Sequence, residues 1–342
     1  MRAMVLSQLG RIEDNPTPLR PAELPIPEPG PGEIRLRVTV CGVCHTDLDE
    51  TEGRTPPPHL PVVLGHQVVG TVDAMGPQTS ALRPGQRVGV PWIWSACGHC
   101  KYCLAGTENL CPELQATGRD KNGGYAEFMT VPEAFAHPIP DGISDVEAAP
   151  LLCAGAIGYR SLRLTNLQDG QNLGLTGFGA SAHLVLKMVR HRFPATQVFV
   201  FARSPAEQEF ARELGAVWAG DTRDTPPELL HAVIDTTPAW EPILEALRNL
   251  EPGGRLVINA IRKEERDKDV LQRLDYPEHL WKEKEIKSVA NVTRADVREF
   301  LDLAAEIPLR PEVQLYDLAE VNRALVELKE RKIRGAKVVR IG

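Results

Sequence analysis

The 342-residue chain is short of several things, and each shortage narrows what it can be. It has no apolar run approaching the roughly 20 residues a membrane helix needs, so no membrane-spanning role is expected. It has no surplus of positive charge: 39 Lys and Arg stand against 46 Asp and Glu, a formal net charge of −7. A nucleic-acid or anionic-membrane partner is therefore not expected, because phosphate binding needs clustered cations. The opening Met-Arg-Ala-Met-Val-Leu-Ser-Gln-Leu-Gly lacks the apolar stretch and small-residue cleavage site of a secretory leader, which points to a cytoplasmic protein. There is no internal repeat and no low-complexity tract. Seven cysteines in so long a chain, without a secretory signal, argue against a disulfide framework.

What is present is ordinary in bulk and specific in detail. Apolar residues make up 42% and charged residues 25%, as in soluble globular proteins, and the length suits two domains. Residues 1–40 read as short strands joined by turns, since Pro25, Pro27, Pro29 and Pro31 before Gly32 exclude a helix. Ile34, Leu36, Val38 and Val40 alternate with polar residues in the period of a half-buried strand. Where that strand ends, Cys44-His45-Thr46-Asp47 offers a thiolate, an imidazole, a hydroxyl and a carboxylate in succession on what reads as a loop. Such a cluster at a rigid strand end builds a site, and Cys44 reads as a ligand of a catalytic zinc. Strand-like stretches continue at Val62–Leu64, Val68–Val72 and Arg87–Val90.

Four cysteines, Cys97, Cys100, Cys103 and Cys111, fall within 15 residues. Tetrahedral zinc favours four thiolates, and close Cys-x-x-Cys pairs let nearby amides soften the accumulated charge. With all four places filled, that zinc is expected to be structural. Ser144-x-x-Glu147 forms a capping box opening a short helix that Pro150 interrupts before Leu151-Leu152-Cys153. An apolar strand, Asn172–Thr176, then runs into Gly177-Phe178-Gly179-Ala180-Ser181-Ala182 and a helix to about His191. This is Gly-x-Gly-x-x-Ala in a strand–turn–helix setting, where glycines admit a pyrophosphate to the helix N-terminus. Further strands at Val198–Phe201, Ala232–Asp235 and Arg255–Asn259 alternate with helices at Ser204–Leu214 and Ile243–Leu250, giving a parallel sheet. A strand at Ile286–Asn291, helices at Ala295–Ala305 and Val321–Lys329 and a strand at Lys337–Ile341 complete the reading.

Taken together, Gly42-Val-Cys44-His45-Thr46-Asp47, Leu64-Gly65-His66, the four-cysteine lobe, Gly123-Gly124-Tyr125-Ala126-Glu127, Leu152-Cys153-Ala154-Gly155 and the dinucleotide turn resemble the zinc-dependent medium-chain alcohol dehydrogenases, in that family's order. The resemblance implies an α/β protein: a GroES-like β-rich catalytic domain at 1–152 and 291–342, with its zinc lobe at 95–113, and a Rossmann doubly wound domain at 153–290. It implies catalysis in the interdomain cleft, two zinc ions per chain and a homotetramer or homodimer. It implies Cys44, His66 and Cys153 as catalytic zinc ligands, leaving one place open so that the metal acts as a Lewis acid on a small alcohol or aldehyde. Thr46 corresponds to the relay hydroxyl and Asp47 to the carboxylate that orients the ligand histidine, although Asp47 could also cap the turn.

The same resemblance marks departures. The position of a relay histidine is Asp49, which either accepts the proton or is a solvated charge with water in its place. His45 stands where relatives place a cation against the cofactor pyrophosphate. Trp92 corresponds to a wall of the substrate pocket, with Trp94 the competitor. Gln67 follows the ligand histidine where relatives carry Glu, so a negative charge behind the metal is expected to be missing. A pyrophosphate-binding arginine is replaced by Ala336, beside Lys337. NAD enzymes end the second strand of the nucleotide domain with Asp or Glu, but this chain has Ala202, then Arg203 and Ser204. NADP(H) is therefore expected over NAD(H), with Arg203 on the 2′-phosphate. A polyol dehydrogenase usually replaces the third ligand cysteine by Glu, which Cys153 disfavours. A zinc-ribbon binding module would need a basic surface.

Overall fold

The computed structural model describes residues 1–307, 309–330 and 335–342. The chain forms two compact units, Met1–Cys153 with Thr293–Gly342, and Ala154–Val292. The first carries strands β1 (Arg2–Leu6), β2 (Leu19–Glu23), β3 (Glu33–Val43), β4 (Val62–Val63), β5 (Val68–Met75), β6 (Arg87–Val90), β7 (Ile93–Ser95), β8 (Gln115–Ala116), β9 (Phe128–Pro132) and β10 (His137–Pro138). Short helices α1 (His45–Thr51), α2 (Lys101–Leu104) and α3 (Asp145–Pro150) interrupt them. The second unit runs α4 (Ala156–Thr165), β11 (Asn172–Thr176), α5 (Ala180–Arg192), β12 (Gln197–Phe201), α6 (Pro205–Glu213), β13 (Trp218–Gly220), β14 (Leu230–Asp235), α7 (Glu241–Arg248), β15 (Leu250–Ile258) and β16 (Glu285–Ser288). The chain then returns to the first unit with α8 (Arg294–Glu306), β17 (Val313–Asp317), α9 (Val321–Lys329) and β18 (Ala336–Arg340).

The first unit is built on β3. Its alternating Ile34, Leu36, Val38 and Val40 are all buried, and the strand pairs antiparallel with β5, β9 and β18. Two register shifts against β5, at Arg35/Leu36 and Val38/Val40, bend the ribbon. Close approach there needs Gly70, where a Cβ would lie 2.4 Å from the Arg37 carbonyl oxygen. The expected loop after β3 is instead helix α1. Cys44 is its N-cap, and a capping box closes it: the Cys44 N–H donates to Asp47 Oδ2 at 2.8 Å. The acidic residues that make this stretch look like a loop lie on its buried face.

The second unit is a six-stranded parallel sheet in the order β13-β12-β11-β14-β15-β16. The order reverses between β11 and β14, which is the switch point where such sheets bind nucleotides. Its core packs Phe199, Phe201, Leu230, Val233, Ile243, Leu247 and Leu256. Two boundaries move from the sequence expectation. Helix α7 stops at Arg248 because Leu250 already pairs with Leu230, and the bulge through Gly253, at φ +76°, carries β15 onward. Strand β16 ends at Ser288, short of Asn291, which takes a left-handed φ of +57° and cannot extend the ladder.

Candidate active site and metal centres

Three separate stretches bring Cys44, His66 and Cys153 together. Cys44 is fixed by β3 and the cap of α1. His66 follows Gly65, whose φ of +94° turns the chain against Cys41 and Tyr125, where a Cβ would meet either side chain at 2.8 Å. Gly123 packs on the same turn, its Cβ position 2.1 Å from the Gly65 oxygen. The Gly65 and Gly123-Gly124 motifs are thus two halves of one tight contact. Cys153 lies on a π-helical turn, Leu151–Gly155, that follows where Pro150 ends α3. Sγ of Cys44 lies 3.3 Å from His66 Nε2 and 4.0 Å from Cys153 Sγ, and the three donor atoms lie within 4.8 Å of one another.

The donor chemistry fits a zinc ion. Two sulfurs and one imidazole nitrogen are borderline-soft ligands, and three protein ligands leave a place for substrate. Without the metal the cluster competes for protons. The hydrogen bond from Cys153 holds the Cys44 thiol well below its usual range and, as its counterpart, pushes Cys153 up. Burial would lower His66, but the charges of Asp47 and Cys44 outweigh it and hold the imidazole well above its ordinary value. Loading the site with a metal must therefore release protons. His66 Nδ1 faces Asp47 Oδ1 at 3.4 Å, while the other Asp47 oxygen caps α1. Asp47 thus caps α1 and also faces His66, although Oδ1 and Nδ1 make no hydrogen bond among the described residues.

One buried acid escaped the sequence reading. Glu50 is fully buried one helical turn after Asp47, and its ligand oxygen lies within 4.8 Å of those of Asp47 and His66. Trp92 Nε1 donates to its Oε1 at 3.4 Å, and Oε2 has no hydrogen-bond partner among the described residues. Burial pushes its carboxyl well above the usual range. Glu50 thus places a buried carboxyl beside Asp47 and His66, and the i, i+3 spacing of Asp47 and Glu50 was the available signal. Asp49 is not a solvated charge: it is buried, and its Oδ1 accepts from Arg54 Nε at 2.5 Å. Trp94 is buried and donates to the Thr130 carbonyl at 3.0 Å, so it packs inside the unit. Thr46 is half-buried with its backbone N–H on Cys44 Sγ, and His45 is exposed.

The sulfurs of Cys97, Cys100, Cys103 and Cys111 also lie within 4.8 Å of one another, all as free cysteines. Backbone N–H groups of Cys97, Cys100 and Glu113 donate to sulfurs at 3.4–3.5 Å, the charge-softening contacts a zinc–thiolate site needs. A hydrogen bond from the Cys103 backbone lowers Cys100 to about 7, while desolvation first of all pushes Cys103 up to about 12. The set fits a closed metal site. Glu108 ties this lobe to α8 through Arg294, whose backbone N and Nε donate at 2.9 and 3.1 Å.

In the second unit Gly177 takes φ +75°, with a Cβ position 2.9 Å from both Thr236 Oγ1 and Thr237 Cγ2. Gly179 caps α5 without a side-chain cap hydrogen bond and with open space at its Cβ, and Ala180 begins the helix. Ala182 is fully buried, as the fingerprint's third small residue should be. Phe178 turns its ring inward onto Phe210 at 5.8 Å. Ala202 follows β12, Arg203 is exposed, and Ser204 makes no side-chain cap bond to α6. Lys337 does not stand in for the missing arginine: it is buried and donates to Gln314, Tyr316 and Glu327 at 3.0, 2.6 and 2.8 Å.

A Rossmann unit joined to a β-rich unit with one open and one closed thiolate-rich site defines a metal-dependent, nucleotide-using oxidoreductase. The sequence profile of the alcohol dehydrogenase GroES-like domain family matches residues 30–141. The chain is 43% identical over 329 residues to a probable alcohol dehydrogenase, AdhA, of Mycobacterium tuberculosis (strain CDC 1551 / Oshkosh), covering 95% of this chain and 93% of the relative. It is 31% identical over 350 residues to an alcohol dehydrogenase of Geobacillus stearothermophilus, covering 100% of both. A crystal structure of an NAD-dependent alcohol dehydrogenase superposes with a TM-score of 0.87 at 26% identity, covering 100% of both chains. This chain belongs to the zinc-dependent medium-chain alcohol dehydrogenases. No helix among the described residues is long and apolar enough to cross a membrane.

Proposed function

We propose that the protein interconverts small alcohols with aldehydes or ketones by hydride exchange with a nicotinamide cofactor, NADP(H) in preference to NAD(H). The observation that carries this is the convergence of Cys44, His66 and Cys153 within 4.8 Å, with the Asp47 carboxylate facing the histidine. These three residues would hold the catalytic zinc, and Cys97, Cys100, Cys103 and Cys111 a structural one. Bound at the open site, the metal supplies Lewis acidity that lowers the pKa of an alcohol oxygen toward neutrality. Asp47 keeps the His66 ring oriented for ligation, and α1 fixes Cys44. The Thr46 hydroxyl takes the alcohol proton. Asp49 is engaged by Arg54, which supports water as the next acceptor. Trp92, tethered to Glu50, lines the substrate side.

The N-terminus of α5, reached through Gly177, Phe178, Gly179 and Ala180, receives the pyrophosphate, with His45 the further side chain assigned to it. Ala202 offers no carboxylate to repel a 2′-phosphate. Arg203 is exposed and makes no ion pair among the described residues, and the Ser204 hydroxyl is left uncommitted by the helix cap, which supports phosphate recognition there. The solvent-facing edge strand β16, with Ile286 exposed, supports assembly into a homo-oligomer. A panel of alcohols and aldehydes assayed with both cofactors, on the parent and on Cys44→Ser, tests the reading. The expected result is NADPH-linked turnover favoured by about tenfold in kcat/KM and lost in the variant. Turnover that survives Cys44→Ser would overturn the metal assignment, and a preference for NADH would overturn the cofactor assignment.

A further inference from the structure

The C-terminal ends of β11 and β14 lie side by side at the switch point of the sheet, Thr176 in register with Asp235. Asp235 is fully buried there. Its Oδ1 accepts from Thr176 Oγ1 at 2.5 Å and Thr237 Oγ1 at 2.8 Å, so one carboxylate oxygen spans the two strand ends. Its Oδ2 accepts from Lys263 Nζ at 2.5 Å. Lys263 comes from the segment after β15, and its side chain is 8% exposed. Its other two protons go to the carbonyl oxygens of Thr237 and Ala239, at 2.8 and 3.0 Å. All three donors of the ammonium are therefore used inside the protein.

The two residues tie three segments to one point: the dinucleotide turn, the turn after β14 and the segment after β15. The turn after β14 in its turn braces the dinucleotide turn. Thr236 N and Oγ1 both donate to the Thr176 carbonyl, at 3.0 and 2.9 Å, and Thr236 and Thr237 occupy the space where a side chain on Gly177 would go. An ion pair this deeply buried adds little net stability compared with an apolar pair of the same shape, so its retention calls for another role. We infer that Asp235 and Lys263 are positioning residues for the nicotinamide nucleotide. They touch no part of it but hold the Gly177–Gly179 turn and the 236–240 turn in the one arrangement that receives it. The inference rests on the reading of this unit as the cofactor domain.

The test measures the dissociation constants of NADPH and NADH by the quenching or enhancement of their fluorescence, together with the melting temperature and the KM and kcat split. Lys263→Met strands the Asp235 charge and is expected to lower the melting temperature and weaken nucleotide binding. The double variant Asp235→Asn/Lys263→Met removes both charges. It is expected to recover the melting temperature while its nucleotide Kd stays raised by about tenfold, because the Thr237 and Ala239 carbonyls remain untied. Its kcat at saturating cofactor is expected within about twofold of the parent. Lys263→Arg, which keeps the charge, is expected to restore part of the affinity. A folded double variant with the parent's Kd overturns the inference and leaves the cofactor domain standing. A parent that binds neither nucleotide overturns both.

Discussion

Cys44 shows how much one residue is asked to do: it ends a core strand, caps a helix through its sulfur and backbone, and faces an imidazole and a second thiol. The neighbouring acids divide in a way that spacing alone could not reveal. Asp47 and Glu50 point toward His66, whereas Asp49, between them, is taken by Arg54. Asp49→Asn should accordingly leave the pH profile of kcat unchanged while lowering stability. A displaced profile would show that Asp49 carries the alcohol proton after all. At the nucleotide end, Ala202→Asp places a carboxylate where a 2′-phosphate would lie. It should cut kcat/KM for NADPH by about tenfold or more while sparing NADH, which steady-state kinetics with both cofactors would read.

Among the elements, β3 and its partner β5 position Cys44 and His66, and their close pairing tolerates little. A Cβ at position 70 would sit 2.4 Å from a backbone oxygen, a contact that no rotamer relieves. Gly70→Ala should cost about 1–3 kcal/mol in denaturant unfolding; a neutral result would mean that the β3–β5 ribbon is freer to shift than its registry implies. The strands, the capping box at Ser144 and the dinucleotide helix were legible because alternation, caps and glycine turns are local signals. Helix α1 was not, since His45–Thr51 is too short and too polar to show a periodic apolar face. The same holds for Glu50 and for the Asp235–Lys263 pair. Residues 263 and 235 are far apart in the chain, and nothing local to either one announces a buried ion pair.

For the molecule as a whole, the first unit carries a built-in acid limit. His137 is buried with its Nε2 unpartnered among the described residues, and burial first, then Arg298 and Arg294, lowers its pKa to about 4 against the pull of Glu108. Between that value and the ordinary 6.5 the unfolded chain binds a proton that the folded one refuses. Stability is therefore full above about pH 6.5 and falls as the pH drops toward 4, by up to about 3 kcal/mol from this one group. His137→Phe should flatten that limb of the stability–pH curve, and an unchanged slope would place the acid sensitivity elsewhere. On the proposed reading the two donor sets would hold two metal ions of different kinds, one closed by four sulfurs and one left open. The most direct test of that account is the zinc content per chain of the parent and of Cys44→Ser, measured by elemental analysis on folded protein. Two ions falling to one are expected; a parent holding a single ion, or a variant that keeps both, would contradict the two-site assignment.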